Sequence, residues 1–502
     1  MKNITYFTFI ILITFFFSCK REFSDIVEET EKGVFQIYSY DEYGTPLNTG
    51  TGFFIDKNGL AITNHHVVDS VDIAFIKDYK GNIYQIKEIK KVCFECDMVT
   101  IQIDNNSETF HPLEITNEIP KKGSDIFVIG NPNGLESTVS EGIVSSIRID
   151  KKDNQRIQIS APISTGSSGS PIFNKTGKVF GVATYIYKEG QNLNFGFSTN
   201  CLEKLTDAKQ LVAGLNPDDR TYLINQFGKN DKSTILNSIE FEAGKTVVNM
   251  SYTNISIKWS PGTLWCPIGE DQNSIYLQNK QTGEKFYAYD ATIGHGRKTA
   301  TTVKLGETIR FKIFFPTVSQ ISSFDLIHES YENWSFYNLG LQSIAPKIDD
   351  DRYYNDFYLQ TALTYMKNKD YLSAFQLLEG LNNINEIDNA YYIHLQGIVA
   401  FLNTDTILAK NKIQESIEKD GTKGSYFFNL FHINDITENR EEALKNISSA
   451  IALNPDQVDY RYERLIMHMY FKHWDNAIKD ADFCINNGSP FYMNHIWKGT
   501  CL

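Results

Sequence analysis

The sequence predicts a multidomain chain: two successive β-rich regions, then an all-α region. Three observations carry this. Residues 33–197 break into short runs rich in Ile, Val, Phe and Tyr, bounded by Gly, Asn or Asp, as strands and turns are. A second series of such runs fills about 236–345. From about 353 onward, small residues recur with a period of 34, the length of a helical hairpin. A length of 502 residues suits roughly three domains.

At the N-terminus, one Lys precedes an apolar run from Ile4 to Phe17, followed by Ser18-Cys19. The run is short for a bilayer span and has the length of a signal-peptide core. A small residue directly before a Cys resembles the cleavage box of bacterial lipoproteins, although Phe16 and Phe17 stand where that box usually carries Leu and Ala. The resemblance implies that residues 1–19 are a lipoprotein-type signal peptide and that Cys19 is the lipidation site. It further implies tethering to a membrane of the bacterial cell envelope, on its periplasmic or cell-surface side. A plain signal peptide and an uncleaved anchor are the alternatives. Net charge is −13 and no basic run interrupts the chain, which argues against a nucleic-acid partner. The seven cysteines are odd in number and scattered, so no disulfide framework is visible. Cys93 and Cys96 have redox or metal spacing, but no second pair or His cluster accompanies them. They are expected to pack in a strand and loop. No metal and no cofactor is expected.

The first β region contains "GVFQIYSY", "TGFFIDKNGLAIT", "VDIAFIKD", "NIYQIKEIK", "MVTIQI", "DIFVIG", "GIVSSIRI", "RIQISAPI", "KVFGVATYIY" and "NFGFST". Such strand density predicts a barrel or sandwich. A helical pattern, "NCLEKLTDAKQLV", is expected at about 200–212, and a linker at 213–235. Residues 236–345 read as an immunoglobulin-like β-sandwich, with turns at "AGK", "TGE" and "LGE". No constellation of polar residues there suggests chemistry.

In the third region Ala409, Ala443 and Ala477 are 34 residues apart, with Ala374 35 before them. Leu381, Ser416, Ala450 and Cys484 follow at a constant offset, and Ala362, Gly397, Phe431 and Leu465 precede at another. Small residues are needed where two helices of a hairpin cross closely. The pattern over 353–502 resembles the tetratricopeptide repeat, about four copies and a partial fifth ending in "MNHIWKGTCL". The resemblance implies an all-α solenoid, whose face would hold a protein or peptide partner.

Chemistry is suggested by "TGSSGSPIF" at 165–173. A serine between glycines is an ordinary turn unless the chain supplies a base and an acid to activate it. Upstream, "GFFIDKNGLAITNHHVV" presents His65-His66 at a strand end, and "CDMVTIQI" places Asp97 at the head of another strand. Together with "IGNPNGLESTVSEGIVSSIR" and "ISTGSSGSPIFNKTGKVFGVAT", these blocks resemble the chymotrypsin-fold, trypsin-like serine proteases, most nearly the Do/HtrA-like branch and the bacterial glutamyl endopeptidases. The order His, Asp, Ser is that of this family. The resemblance covers residues 30–212 and implies an all-β double β-barrel protease domain. It implies His66 as base, with His65 its neighbour, Asp97 as acid and Ser168 as nucleophile. The backbone N–H groups of Gly166 and Ser168 would form the oxyanion hole. Ser170 departs from the glycine of many relatives. Ile163, Ala183 and Tyr185 fall where the specificity pocket is expected. The first two replace the polar residues that hold glutamate, which favours a small or apolar substrate side chain. The expected function is a serine endopeptidase acting on protein or peptide substrates, with the helical repeats recruiting proteins. The alternative is an inactive or switched protease-like scaffold for protein–protein interaction.

Overall fold

The computed structural model describes residues 22–486 apart from 105–107, 132–136, 151, 165, 187–193, 212–219, 229–232, 243, 259–261, 271–273, 296–298, 319–322, 329–333, 341–349 and 385–388. Cys19 with its leader, and the partial fifth repeat, lie outside the described residues.

Helix α1 (Phe23–Glu31) leads into β1 (Val34–Tyr40), β2 (Pro46–Phe54), β3 (Leu60–Asn64), the short α2 (His65–Val68), β4 (Ile73–Lys77), β5 (Ile83–Cys93) and β6 (Met98–Ile103). The strands pair in the order β4-β1-β2-β3-β6-β5, and β5 returns to β4, closing a six-stranded barrel. A second barrel closes through β7 (Asp125–Gly130), β8 (Thr138–Ile149), β9 (Gln155–Ile159), β10 (Pro171–Asn174), β11 (Val179–Ile186) and β12 (Asn194–Ser198). Each barrel has its own core, around Ile37, Ile76 and Ile101 in the first and Val144, Ile172 and Phe180 in the second. A third cluster joins them: Phe53, Ile62 and Met98 of the first barrel meet Phe127, Ile129, Phe173 and Val182 of the second. Burying one such apolar side chain is worth about 1.5–3 kcal/mol, so this cluster fixes the seam between the barrels.

Three sequence expectations are corrected here. Over its described residues, 200–211, the stretch expected to be a helix is not one. Its first residues, Thr199–Lys204, form a 3-10 turn, and β13 (Thr206–Leu211) then adds to β5. The eleven-residue β5 runs past Ile83–Gln85, where β4 pairs, so β13 takes Glu88–Val92 on the edge opposite β6, and Ala208 packs on the first barrel's core. The supposed linker at 213–235 holds a strand, β14 (Arg220–Phe227), because Tyr222 packs edge-on against Phe241 of the next strand and Phe227 against a helix. The cysteines do include a disulfide, Cys96–Cys201, whose partners are 105 residues apart and show no sequence rhythm.

β14 pairs with β15 (Thr234–Glu242), which pairs with β16 (Lys245–Thr253). The rest of this region comprises β17 (Gly262–Leu264), β18 (Ile275–Asn279), β19 (Lys285–Tyr287), β20 (Asp290–Ala291), β21 (Thr301–Val303), β22 (Thr308–Pro316), β23 (Ser323–His328) and β24 (Phe336–Gly340). A five-stranded sheet, β14-β15-β16-β22-β20, and a four-stranded one, β19-β18-β23-β24, contribute to one core that includes Leu236, Val248, Phe311, Leu277 and Leu326.

Eight helices follow among the described residues: α3 (Asp350–Lys367), α4 (Tyr371–Ile384), α5 (Asn389–Leu402), α6 (Thr406–Lys419), α7 (Gly424–Ile436), α8 (Arg440–Leu453), α9 (Val458–Tyr470) and α10 (Trp474–Asn486). Each pair is divided by one left-handed residue, Lys369, Thr404, Glu438 or Lys472, a common way to end a helix. The periodic Ala374, Ala409, Ala443 and Ala477 are wholly buried. A Cβ on Gly397 would lie 2.6 Å from Ile413, so the glycine permits α5 and α6 to cross closely.

Candidate active site

His66 sits in the first turn of α2, just after β3 ends at Asn64. Val67 and Val68 are fully buried, and this anchors the turn while leaving the His66 ring half exposed. Asp97 lies at the same end of the β3–β6 pair, where Met98 pairs with Asn64 and the chain turns from β5 into β6. Its φ is +49°, a left-handed conformation that Asp tolerates better than most residues. The turn is held from several sides. The Asp97 carbonyl accepts from the His65 N–H at 3.1 Å and from Asn64 Nδ2 at 2.8 Å. Cys96, directly before it, is bonded to Cys201.

The Asp97 carboxylate takes two bonds from the same residue. Oδ1 accepts the His66 backbone N–H at 2.9 Å, and Oδ2 lies 2.6 Å from His66 Nδ1. Because a carboxylate only accepts, this pairing places the proton on Nδ1 and leaves Nε2 as the basic nitrogen. His65 is engaged elsewhere: its ring meets Phe94 edge-on at 4.9 Å and its Nε2 is 3.8 Å from Asp69.

The serine loop is clamped by β2. The Thr51 N–H donates to the Ser168 carbonyl at 2.8 Å, and Thr51 Oγ1 donates to the Gly166 carbonyl at 2.8 Å. From β11, the Ala183 carbonyl accepts the Gly169 N–H at 2.9 Å. With both carbonyls drawn toward Thr51, the N–H groups of Gly166 and Ser168 donate to no acceptor among the described residues. Gly166 and Gly169 have φ of +92° and +87°, which explains the glycines of this loop. Ser170 is fully buried, and a Cβ on Gly130 would come within 2.4 Å of its hydroxyl. The extra hydroxyl is thus accommodated by a glycine on the facing strand. Ser168 Oγ has the Thr184 carbonyl at 3.5 Å, at the limit of a hydrogen bond.

Of the three residues expected at a specificity pocket, Ala183 is wholly buried in the second barrel's core, and the partly buried Ile163 packs against that same core. The side chain of Tyr185 lies outside the described residues. Sequence reading missed Thr51, Asn64 and Thr184. Asn64 Nδ2 bridges the Asp97 carbonyl and Thr184 Oγ1 at 3.2 Å, so these residues join the acid turn to the strand beside the serine. All three are ordinary strand residues in the sequence, and nothing local marks them.

Residues 50–182 match the family described as Trypsin-like peptidase domain. This part of the chain, about a quarter of its length, resembles such peptidase domains. It is similar to "Probable periplasmic serine endoprotease DegP-like" of Rickettsia conorii, 36% identical over 189 residues, which covers 36% of each chain. It is similar to "Serine protease HTRA3" of Rattus norvegicus, 32% identical over 181 residues, covering 32% of this chain and 39% of that one. It is also 32% identical over 170 residues to "Anti-sigma-I factor RsgI9" of Acetivibrio thermocellus, covering 34% of this chain and 23% of that protein. A solved structure, the Rv3671c protease from M. tuberculosis in its active form, aligns with 22% identity and a TM-score of 0.33 over 38% of this chain and 87% of that one. The chain thus spans about a quarter to two fifths of the length of these curated relatives. Among the described residues no helix is long and apolar enough to cross a membrane.

Proposed function

We propose that the protein is a serine endopeptidase that cleaves peptide bonds through an acyl-enzyme. The observation that carries this is the 2.6 Å contact between His66 Nδ1 and Asp97, within a peptidase domain whose serine loop is clamped by Thr51. Asp97 fixes the tautomer, so His66 Nε2 takes the Ser168 proton as Oγ attacks the scissile carbonyl. The oxyanion that develops is met by the N–H groups of Gly166 and Ser168, each donor lowering the barrier by about 3–4 kcal/mol. His66 then protonates the leaving amine, and water, deprotonated by His66, releases the acyl group.

The remaining assignments belong to the same reading. Residues 1–19 direct the chain out of the cytoplasm and Cys19 tethers it to the envelope, in keeping with the periplasmic naming of a relative. The middle region is an immunoglobulin-like sandwich. The helices are tetratricopeptide-type repeats that recruit protein partners, supported by the 34-residue recurrence of left-handed turns at Thr404, Glu438 and Lys472.

A fluorophosphonate probe tests the enzyme assignment. The full chain is expected to be labelled once, at Ser168, and Ser168→Ala is expected to abolish labelling while retaining the fold. The competing reading is a switched or inactive scaffold. It is favoured by the weak contact of the Ser168 hydroxyl with the Thr184 carbonyl, at the limit of a hydrogen bond, and it would prevail if the probe left the chain unmodified with and without peptide ligands.

A further inference from the structure

The helical array already grips a piece of peptide, and it is its own. After β16 the chain runs through Asn254-Ile255-Ser256-Ile257-Lys258 and lies against the first helices of successive hairpins, α7 and α9. The grip has three parts. Asn429 on α7 holds the segment's backbone at two points. Its Oδ1 accepts the Ile257 N–H at 3.0 Å, and its Nδ2 donates to the Ile255 carbonyl at 2.7 Å. Ile255 and Ile257 are both buried, in one cluster with Leu359, Leu395, Leu430 and Ile433 of the array. Lys258 pairs with Glu463 on α9, whose side chain is only 3% exposed.

These residues form a register. His394, Asn429 and Glu463 occupy one position on α5, α7 and α9, separated by 35 and 34 residues. His394 Nε2 contacts Asn429 Nδ2 at 3.1 Å, and its ring stacks on Tyr426 at 4.1 Å, so the clamp is itself held in place. A buried carboxylate such as Glu463 is costly without a cation, and a carboxamide aimed at main-chain groups reads backbone whatever the side chains. The combination selects an apolar residue, any residue, an apolar residue, then a lysine.

We propose that this face is a peptide-binding groove for apolar-x-apolar-Lys segments, occupied in this chain by residues 255–258 acting as a built-in competitor. The inference rests on the recruiting role proposed for the helices and names its ligand chemistry. A tethered segment has an effective concentration of roughly millimolar, so a free peptide of the same chemistry meets a groove that is nearly always filled. Weakening the tethered copy opens it.

The test uses the full chain and a fluorescent synthetic peptide of residues 252–260. Lys258→Glu places a carboxylate against Glu463 and is expected to raise peptide affinity about tenfold or more over wild type. Adding Asn429→Ala to that variant is expected to remove most of the gain. Adding Glu463→Lys instead restores a pair within the chain and is expected to return affinity to the wild-type level. Equal binding to wild type and Lys258→Glu, or a gain that survives Asn429→Ala, would overturn the proposal. Should Lys258→Glu unfold, Glu463→Lys alone is expected to prefer the peptide with Glu in place of Lys, and no change of preference would count against it. Selection of random peptides on an opened chain separates this from the recruiting role. Enriched peptides lacking the apolar-x-apolar-Lys pattern would sink the stated chemistry only, and no enriched peptide at all would sink both.

Discussion

Gly169 shows how tightly the serine loop is specified. Its φ is +87°, and a Cβ there would stand 2.1 Å from the Thr51 carbonyl. No side chain yields in such a contact, because the obstacle is the backbone of β2. Gly169→Ala must therefore separate β2 from the loop, breaking the two bonds from Thr51 that hold the Gly166 and Ser168 carbonyls. The left-handed strain alone costs about 1–3 kcal/mol. We expect Gly169→Ala to lower the melting temperature and to cut peptide hydrolysis by about a hundredfold or more, the scale of losing an oxyanion donor. Ser168→Ala is the contrast: it should abolish hydrolysis and leave the melting temperature nearly unchanged. If Gly169→Ala retained wild-type turnover, the N–H groups of this loop would not be the ones that matter.

At the scale of elements, α3 of the helical array meets the first barrel. Tyr353 inserts its ring against Tyr38 and Tyr40. Its hydroxyl accepts the Ser39 N–H at 3.1 Å and faces the Ser39 and Asn48 carbonyls at 3.0 and 2.5 Å. Asn48 in turn reaches the His66 carbonyl at 3.4 Å, so the helix touches the hairpin that backs the candidate site. Tyr353→Phe keeps the ring and strands a buried N–H, a loss of about 1–3 kcal/mol. Faster amide exchange is expected in β1, β2 and α3 together, and exchange confined to α3 would show that the helix is not coupled to the barrel. This docking was invisible in the sequence, since Tyr353 sits at the start of a helix with no pattern pointing to residues more than 300 positions earlier. The strands were legible because alternating Ile, Val and Phe between Gly and Asn turns is a local signal. His66, Asp97 and Ser168 were named from the order of four motifs. The Cys96–Cys201 bridge and β13 were not legible, because a long-range bridge has no periodicity and an edge strand is decided by the partner it finds.

For the whole molecule, the array carries buried histidines whose protonation opposes folding. Burial holds the His394 imidazole down to about 3 and, with help from the nearby Lys258 cation, that of His432 down to about 2. Both are neutral in the fold, whereas an exposed histidine titrates near 6.5. As pH falls below about 6.5 the unfolded chain takes up protons that the folded chain refuses, and stability drops by up to about 1.4 kcal/mol per pH unit for each such histidine. Above about pH 7 neither state binds them, and the penalty vanishes. Asp41, Glu240 and Glu463, whose carboxyls burial raises, work in the opposite sense at lower pH. The effect is therefore read as a difference between proteins. His432→Leu keeps the volume among Phe428 and Phe431 and removes the titration. Thermal melts at pH 7.5 and 5.5 should show a smaller acid-induced fall for His432→Leu than for wild type, with the two converging in slope above pH 7. A fall of equal size in both would mean that His432 is protonated in the folded chain, and the helices would then tolerate a charge where their packing against Lys258 makes one most costly.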